Sequence, residues 1–273
     1  MKLIFLGILS CCFAWSLSVQ AKEYTLGIVP QQSPVKIFKS WKPVVTYLSE
    51  TTGFKVSLKT EKSISEFEKV LYSGGYDLAY MNPYHFTIAN ERQDYRAVVR
   101  AAKNIKGIIV MKKDQPDMKA LIMDEKTQFL FPSPNAFAAT LLIKYELLTK
   151  FGINLATSGK IKYVNSHDSV YKGVARDIGQ LGGGIQRTFN SFKAGPDKNK
   201  VTAVYHTAAY PSHPIAVNPA MPDADREKIV EALLVMPLEL KSLLNIKELI
   251  STSNDEFSVI RELSAKLDIV DRD

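Results

Sequence analysis

Residues 129–142, FLFPSPNAFAATLL, set Ser133 and Asn135 between a short apolar strand and a helix of small and aliphatic side chains. The first N–H groups of a helix have no intrahelical partners, and they carry the positive end of its dipole. Ser133 and Asn135 can cap that end or turn to a ligand, while Ala136, Ala138 and Ala139 let another backbone come close. An anion held by amide hydrogens at the carboxyl end of a strand is the chemistry such a junction supports. An ordinary cap on a core helix is the structural alternative. Residues 76–86, YDLAYMNPYHF, repeat the order strand, polar turn, short helix, with Tyr80, Asn82, Tyr84 and His85 at or just past the strand end. Tyr and Asn are neutral donors that enclose a ligand without burying net charge. Equally, Tyr84 and Phe86 can be core residues and His85 a local cap.

Three further stretches invite a chemical reading. In NSHDSVYKGV (165–174), Ser166, His167 and Asp168 are adjacent, and adjacent residues in a helix or strand point in different directions, so they cannot converge as a hydrolytic triad. No G-x-S-x-G elbow occurs in the chain. Ser166 or Asp168 is expected to cap a following helix, leaving His167 to face a crevice or a structural partner. LGGGIQRTF (181–189) lacks the Gly-Lys-Ser/Thr ending of a phosphate-binding P-loop. Its glycines imply close backbone approach. Arg187 offers a planar fork that fits an oxyanion, unless it is a solvated surface residue. In AYPSHPIAVNP (209–219), His213 lies between two prolines in a rigid turn entering a strand. The histidines at 85, 167, 206 and 213 have no metal-ligand spacing, so neither metal nor cofactor is expected.

These segments must be held by a chain that alternates strand and helix. Strands are expected at EYTLGIV, FKVSLKT and YDLAYM, with a helix over 33–53 perturbed at Pro43 and ended by Gly53. Ser63-Ile64-Ser65-Glu66 matches a capping box ahead of a second helix. A second unit begins near Gly107, with strands at GIIVMKK, TQFLF, IKYV, GGGIQ and VTAVYHT and helices over 135–150 and 167–176. KAGPDKNK (193–200) is expected to be a surface loop and the tail from Pro222 helical. Such alternation implies an α/β fold with helices on the sheet faces.

Residues 1–21 have the anatomy of a secretory signal peptide: Lys2, an apolar centre, and the small-residue site Val19-Gln20-Ala21. A lipoprotein box ending at Cys11 is the weaker alternative, because Cys11 sits too early. Cleavage after Ala21 would leave 252 residues, no cysteine, and 34 basic against 28 acidic side chains, a formal +6. The interspersed charges argue against nucleic acid as a partner and favour a small anion.

The set YDLAYMNPYHF, FPSPNAFAATLL followed by FGI, VNSHDSVYKGV, GGGIQRTF and AYPSHPIAVNP, in this order, resembles the phosphate/phosphite/phosphonate-binding periplasmic proteins of ABC importers. The resemblance spans nearly all of 23–273. It implies a two-lobed, type II periplasmic binding protein, each lobe a mixed sheet flanked by helices: 22–105 with 211–273, and 106–210. It further implies a periplasmic monomer that takes a small oxyanion and delivers it to an inner-membrane permease. A binding protein that signals to a membrane sensor kinase or cyclase keeps the same fold, and an exported hydrolase is a third reading. In the family, the segment matching Ser133-Pro134-Asn135 grips phosphonate oxygens and the histidine matching His167 faces the ligand. Phe67 stands where some members place a tyrosine. Ser133 is a single hydroxyl where others carry a cluster, and His213 stands where binders of aminoalkylphosphonates present an acid. These departures argue against an amine-bearing ligand and leave phosphate, phosphite or another small oxyanion open. Expected ligand-binding residues are Tyr80, Asn82, Tyr84, His85, Ser133, Asn135, Ala136, His167, Arg187 and His213.

Overall fold

A computed structural model of the protein describes residues 21–115, 117–155, 159–193 and 195–267. The expected signal peptide therefore lies, except for Ala21, outside the described residues. Among these residues, no helix is long and apolar enough to cross a membrane.

Two sheets form around strands buried along their whole length, Leu78–Tyr80 and Pro214–Val217 in one and Phe129–Phe131 and Leu181–Ile185 in the other. The first has six strands in the order β11-β4-β10-β3-β1-β2. They are β1 (Glu23–Ile28), β2 (Lys55–Lys59), β3 (Leu78–Tyr80), β4 (Arg96–Ala101), β10 (Pro214–Val217) and β11 (Leu249–Ser251). The second has five strands in the order β7-β6-β8-β5-β9. They are β5 (Gly107–Lys112), β6 (Phe129–Phe131), β7 (Ile161–Tyr163), β8 (Leu181–Ile185) and β9 (Val201–His206). Helices α1 (Pro34–Thr52), α2 (Ile64–Tyr72), α3 (Pro83–Gln93), α9 (Asp223–Leu234), α10 (Leu238–Leu243) and α11 (Ser258–Lys266) belong with the first sheet. With the second go α4 (Met118–Met123), α5 (Leu142–Phe151), α6 (His167–Ala175), α7 (Gln186–Ser191) and α8 (Pro196–Lys200).

The chain passes between the sheets twice, after Ala101 and after His206, and the two crossings bond to each other. Ile105 N–H donates to the Tyr210 carbonyl (2.8 Å), and Tyr210 N–H returns a bond to Ile105 (3.0 Å). One large apolar cluster runs from the first sheet through Phe137, Leu141 and Leu142 to Ile185, so its packing reaches into the second half.

Parallel pairing decides where the loops meet. β1 lies parallel to β2 and β3, and β6 lies parallel to β7 and β8. The carboxyl ends of β1 and β3 thus share one edge, and those of β6, β7 and β8 share another. β10 runs antiparallel to β3, with Ile215 opposite Tyr80, which brings the residue before it, His213, to that same edge. The two edges face each other.

Two local expectations need correction. The segment 193–200 is not all loop: Pro196–Lys200 is a short helix with Pro at its first turn, where a fixed φ suits helix entry. Asp197 anchors it through Arg176 at 3.0 Å. The tail from Pro222 is not wholly helical either, because Leu249–Ser251 adds an edge strand to β4. Pro43 is carried inside α1 without ending it, and Gly53 closes that helix in the left-handed conformation, φ 75°.

Candidate functional site

After β1, Val29 N–H bonds the Tyr80 carbonyl (3.1 Å), and a tight turn over Pro30 presents Gln31 to the space between the sheets. The Gln31 carbonyl accepts from His167 N–H (3.0 Å), so the first amide of α6 is satisfied across the cleft. After β3, Asn82 caps α3, its Oδ1 accepting from His85 N–H at 2.8 Å. Its Nδ2 donates to the Asn135 carbonyl (3.1 Å) on the opposite side.

The junction after β6 is built differently from a simple cap. Ser133 Oγ accepts from Asn135 N–H (3.2 Å), and its carbonyl accepts from Thr140 Oγ1 (2.8 Å). The helix opens as a π-turn over Phe137–Leu141, with Ala136 in the capping position and no side-chain cap. The Ala136 carbonyl takes both Thr140 N–H (2.8 Å) and Leu141 N–H (3.3 Å). The amides of Phe137, Ala138 and Ala139 precede the first intrahelical donor and so lack an intrahelical acceptor. The small residues permit this placement together with two glycines. A Cβ on Gly183 would stand 2.0 Å from the Ala139 carbonyl oxygen, and one on Gly107 would stand 2.1 Å from that of Ala138.

These elements enclose a small cavity of ≈ 10 Å³, lined by Val29, Gln31, Ile64, Asn82, Ala136 to Ala139, His167, Ile185 and His213. No carboxylate lines it. Its donors are helix-start amides and neutral side chains. Both histidines are nearly inaccessible, at 2% exposure each. Burial, reinforced by the charge of Arg187, pushes the His167 pKa down to about 3. His213 lies well below its ordinary value for the same first two reasons. Each is therefore a neutral imidazole at pH 7. His167 Nδ1 lies 3.0 Å from Thr188 Oγ1, which in turn is 2.7 Å from Tyr171 OH; His213 Nε2 pairs with Gln31 Nε2.

Beside this cavity lies a second, of ≈ 40 Å³, sharing Val29 and Gln31 with it and reaching Trp41, Tyr80, Arg187, Ser191 and Leu244. Tyr80 stacks on His213 with ring centres 5.4 Å apart and leans on Trp41 at 4.8 Å, and the Arg187 guanidinium lies 5.7 Å above its ring. Across the edge of this cavity Asn245 Nδ2 donates to Ser191 Oγ (2.9 Å), and from α1 Lys36 reaches Asp168 on α6 (3.1 Å).

Of the residues expected from sequence, Asn82, Ala136, His167 and His213 meet around the first cavity, and Tyr80 and Arg187 around the second. Tyr84, His85, Ser133 and Asn135 line neither: Tyr84 is packed in the core, and His85, with no exposure, lies against Phe67. Ser133 and Asn135 instead shape the turn, and the Asn135 carbonyl receives Asn82. Phe67 is buried against Tyr76, away from the cleft. Ser166 caps α6 by accepting from Ser169 N–H (3.1 Å), and Asp168 is held by Lys36, so the Ser-His-Asp run diverges. Gln31, Trp41 and Thr188 were not anticipated. Gln31 carried the same signal as Asn82, a polar side chain two or three residues past a strand.

Asn82 serves cap and cleft together, and these roles separate by substitution. Asn82→Ala should cost about 1 kcal/mol for the lost cap and also the cross-cleft bond. Asn82→Asp keeps an acceptor for His85 N–H but removes the donor to Asn135. Thermal melts should place the Asp variant nearer the parent in stability, while titration with an anion shows both weakened. Unaltered anion binding by Asn82→Asp would refute the cleft role.

A family model described as the periplasmic substrate-binding protein of phosphonate ABC transporters matches residues 26–257. A binding component of a phosphonate transporter from Pseudomonas aeruginosa superposes with a TM-score of 0.83 at 15% identity, covering 91% of this chain and 87% of that one. PhnD1 from Prochlorococcus marinus, solved with methylphosphonate, gives 0.82 at 17% identity, covering 91% and 99%. XAC2383 from Xanthomonas citri, solved with chloride, gives 0.68 at 16% identity, covering 90% and 97%.

Proposed function

The chain belongs to the family of periplasmic phosphonate-binding proteins of ABC transporters, and on that premise we propose that it captures a small oxyanion of the phosphonate class between its lobes and delivers it to an importer. The observation that carries this reading is the cavity between the two strand edges, where the amides opening the Phe137–Leu141 turn face Gln31, Asn82 and two neutral histidines. An anion there meets oriented dipoles instead of a buried counter-charge. Helix starts each present about half a positive charge, and α2, α6 and the π-turn all begin at this cavity through Ile64, His167 and Ala136. The absence of a carboxylate from the lining matters as much, since an acid here would repel the ligand. Members of the family bind solutes, and nothing in the divergent Ser166, His167 and Asp168 arrangement supports hydrolysis.

The mechanism is closure. The cavity is small, ≈ 10 Å³, so the ligand enters with the lobes parted. We take these as 22–105 with 211–273, and 106–210, turning about the bonded crossings at Ile105 and Tyr210. On closing, His167 N–H meets the Gln31 carbonyl and Asn82 meets Asn135. These are bonds between the lobes, and the liganded form gains them together with the anion. The closed face would then dock on a permease. Export through the leader in residues 1–21 belongs to the same proposal, and the secreted chain should begin at Lys22.

Thermal shifts with methylphosphonate, phosphite, phosphate, sulfate and acetate test the ligand class. A ligand at about 100 times its Kd adds about 2.7 kcal/mol of stability. Methylphosphonate or phosphite should raise the melting point by several degrees and acetate should not. Stabilisation by cations or apolar compounds alone would sink the reading.

A further inference from the structure

We propose that the ligand carries a second acidic group, a carboxylate on a short phosphonate substituent, and that the cavity beneath Trp41 and Tyr80 receives it on Arg187. This rests on the phosphonate reading above and specifies the rest of the molecule.

The cavity abuts the oxyanion cavity across Val29 and Gln31, which line both, so a short tail that passes Gln31 reaches Arg187. The cavity's volume is small, ≈ 40 Å³, which suits a compact planar group and not a long chain. Arg187 is the only charged residue in its lining. Among the described residues, Arg187 has no carboxylate partner: its guanidinium lies over the Tyr80 ring, 5.7 Å from its centre. The nearest acid on α6, Asp168, is already taken by Lys36 and by Ser33 N–H. Tyr80 is itself fixed between Trp41 and His213, so the ring beneath the guanidinium is held in place.

A half-buried guanidinium between two lobes, stacked and without a counter-charge, is suited to a planar acid bound through two parallel hydrogen bonds. An amine in the same place would meet a like charge and find no carboxylate on either side. A methyl group would leave the arginine without an anionic partner. The two cavities thus divide the work: dipoles receive the phosphonate head, and one fixed cation receives the tail.

Calorimetric titration of the full exported chain with methylphosphonate, carboxymethylphosphonate and aminoethylphosphonate tests this. Carboxymethylphosphonate should bind at least about tenfold tighter than methylphosphonate, the factor expected of one charge-assisted pair. Aminoethylphosphonate should bind weakest. Arg187→Gln should bring the carboxymethyl-to-methyl affinity ratio to about one, and Arg187→Lys should retain part of it, because charge remains while the fork is lost. A wild-type ratio near one, a preference for the amine, or an unchanged ratio in Arg187→Gln overturns the proposal. The wild-type ratio decides even if a variant fails to fold. Should no phosphonate bind at all, the phosphonate reading itself falls, an outcome distinct from methylphosphonate binding without discrimination.

Discussion

Gly183→Ala should both destabilise the protein and abolish the melting-point rise produced by its anion. A Cβ at this position would lie 2.0 Å from the Ala139 carbonyl oxygen and 2.4 Å from the Phe131 ring, and neither is the loose end of a flexible chain. Relief requires the π-turn to move off β8, and that turn carries the amides lining the oxyanion cavity. Overpacking of this kind costs about 1–3 kcal/mol and occasionally more, and a backbone clash belongs at the upper end. Gly152→Ala is the matched control. It sits at φ 69° with nothing within 4 Å of a new Cβ, so it should lose about 1–2 kcal/mol from the left-handed backbone while its anion response stays intact. Chemical denaturation and thermal shift read the two effects separately. If Gly183→Ala keeps a normal anion response, the helix start is not where the ligand is held.

Acidification below pH 6.5 should open the cleft. His167 and His213 are neutral when folded, His167 with its pKa near 3 and His213 well below its ordinary value, in both cases chiefly because they are buried. In an unfolded or opened chain each titrates near 6.5. Between those limits the opened state binds protons that the closed state refuses, so stability rises with pH there and is flat above about 6.5. Each such proton is worth about 1.4 kcal/mol per pH unit. By pH 4.5, two units below 6.5, His167 alone contributes a penalty of about 2.7 kcal/mol, and His213 acts in the same direction. Parting of the lobes, which rehydrates both rings, is the least costly response. Trp41, the sole tryptophan after residue 21, packs on Tyr80 at the cleft and reports the change by fluorescence. The transition should move to lower pH with bound anion. His167→Gln and His213→Gln should each reduce its steepness by about one proton. A closed form equally stable at pH 7 and 4.5 would contradict the burial of neutral imidazoles.

Much of the architecture was legible because it is written in neighbouring residues. The Ser63 cap to Glu66 N–H, the Gly53 stop and the strand-turn-helix order around Asn82 are interactions within a few positions, and they formed as their spacing implied. Short or exposed elements were less visible. Three residues of β11 carry too little pattern to distinguish an edge strand from loop, and the five residues of α8 lie in a polar stretch that reads as loop.

The candidate site divides along the same line. Sequence alone determined the α/β alternation, the family resemblance, and the segments where an anion could meet amide hydrogens, because caps, turns and apolar periods act over a few residues. Tertiary structure decided which side chains face that space. It turned Ser133 and Asn135 to the turn, buried His85 behind Asn82, and brought Gln31 to His213 and Arg187 to Tyr80. It also made two histidines neutral and, among the described residues, left Arg187 at the cleft without an acid. Those properties arise from distance and desolvation between segments more than a hundred residues apart, and no local pattern encodes a dielectric environment.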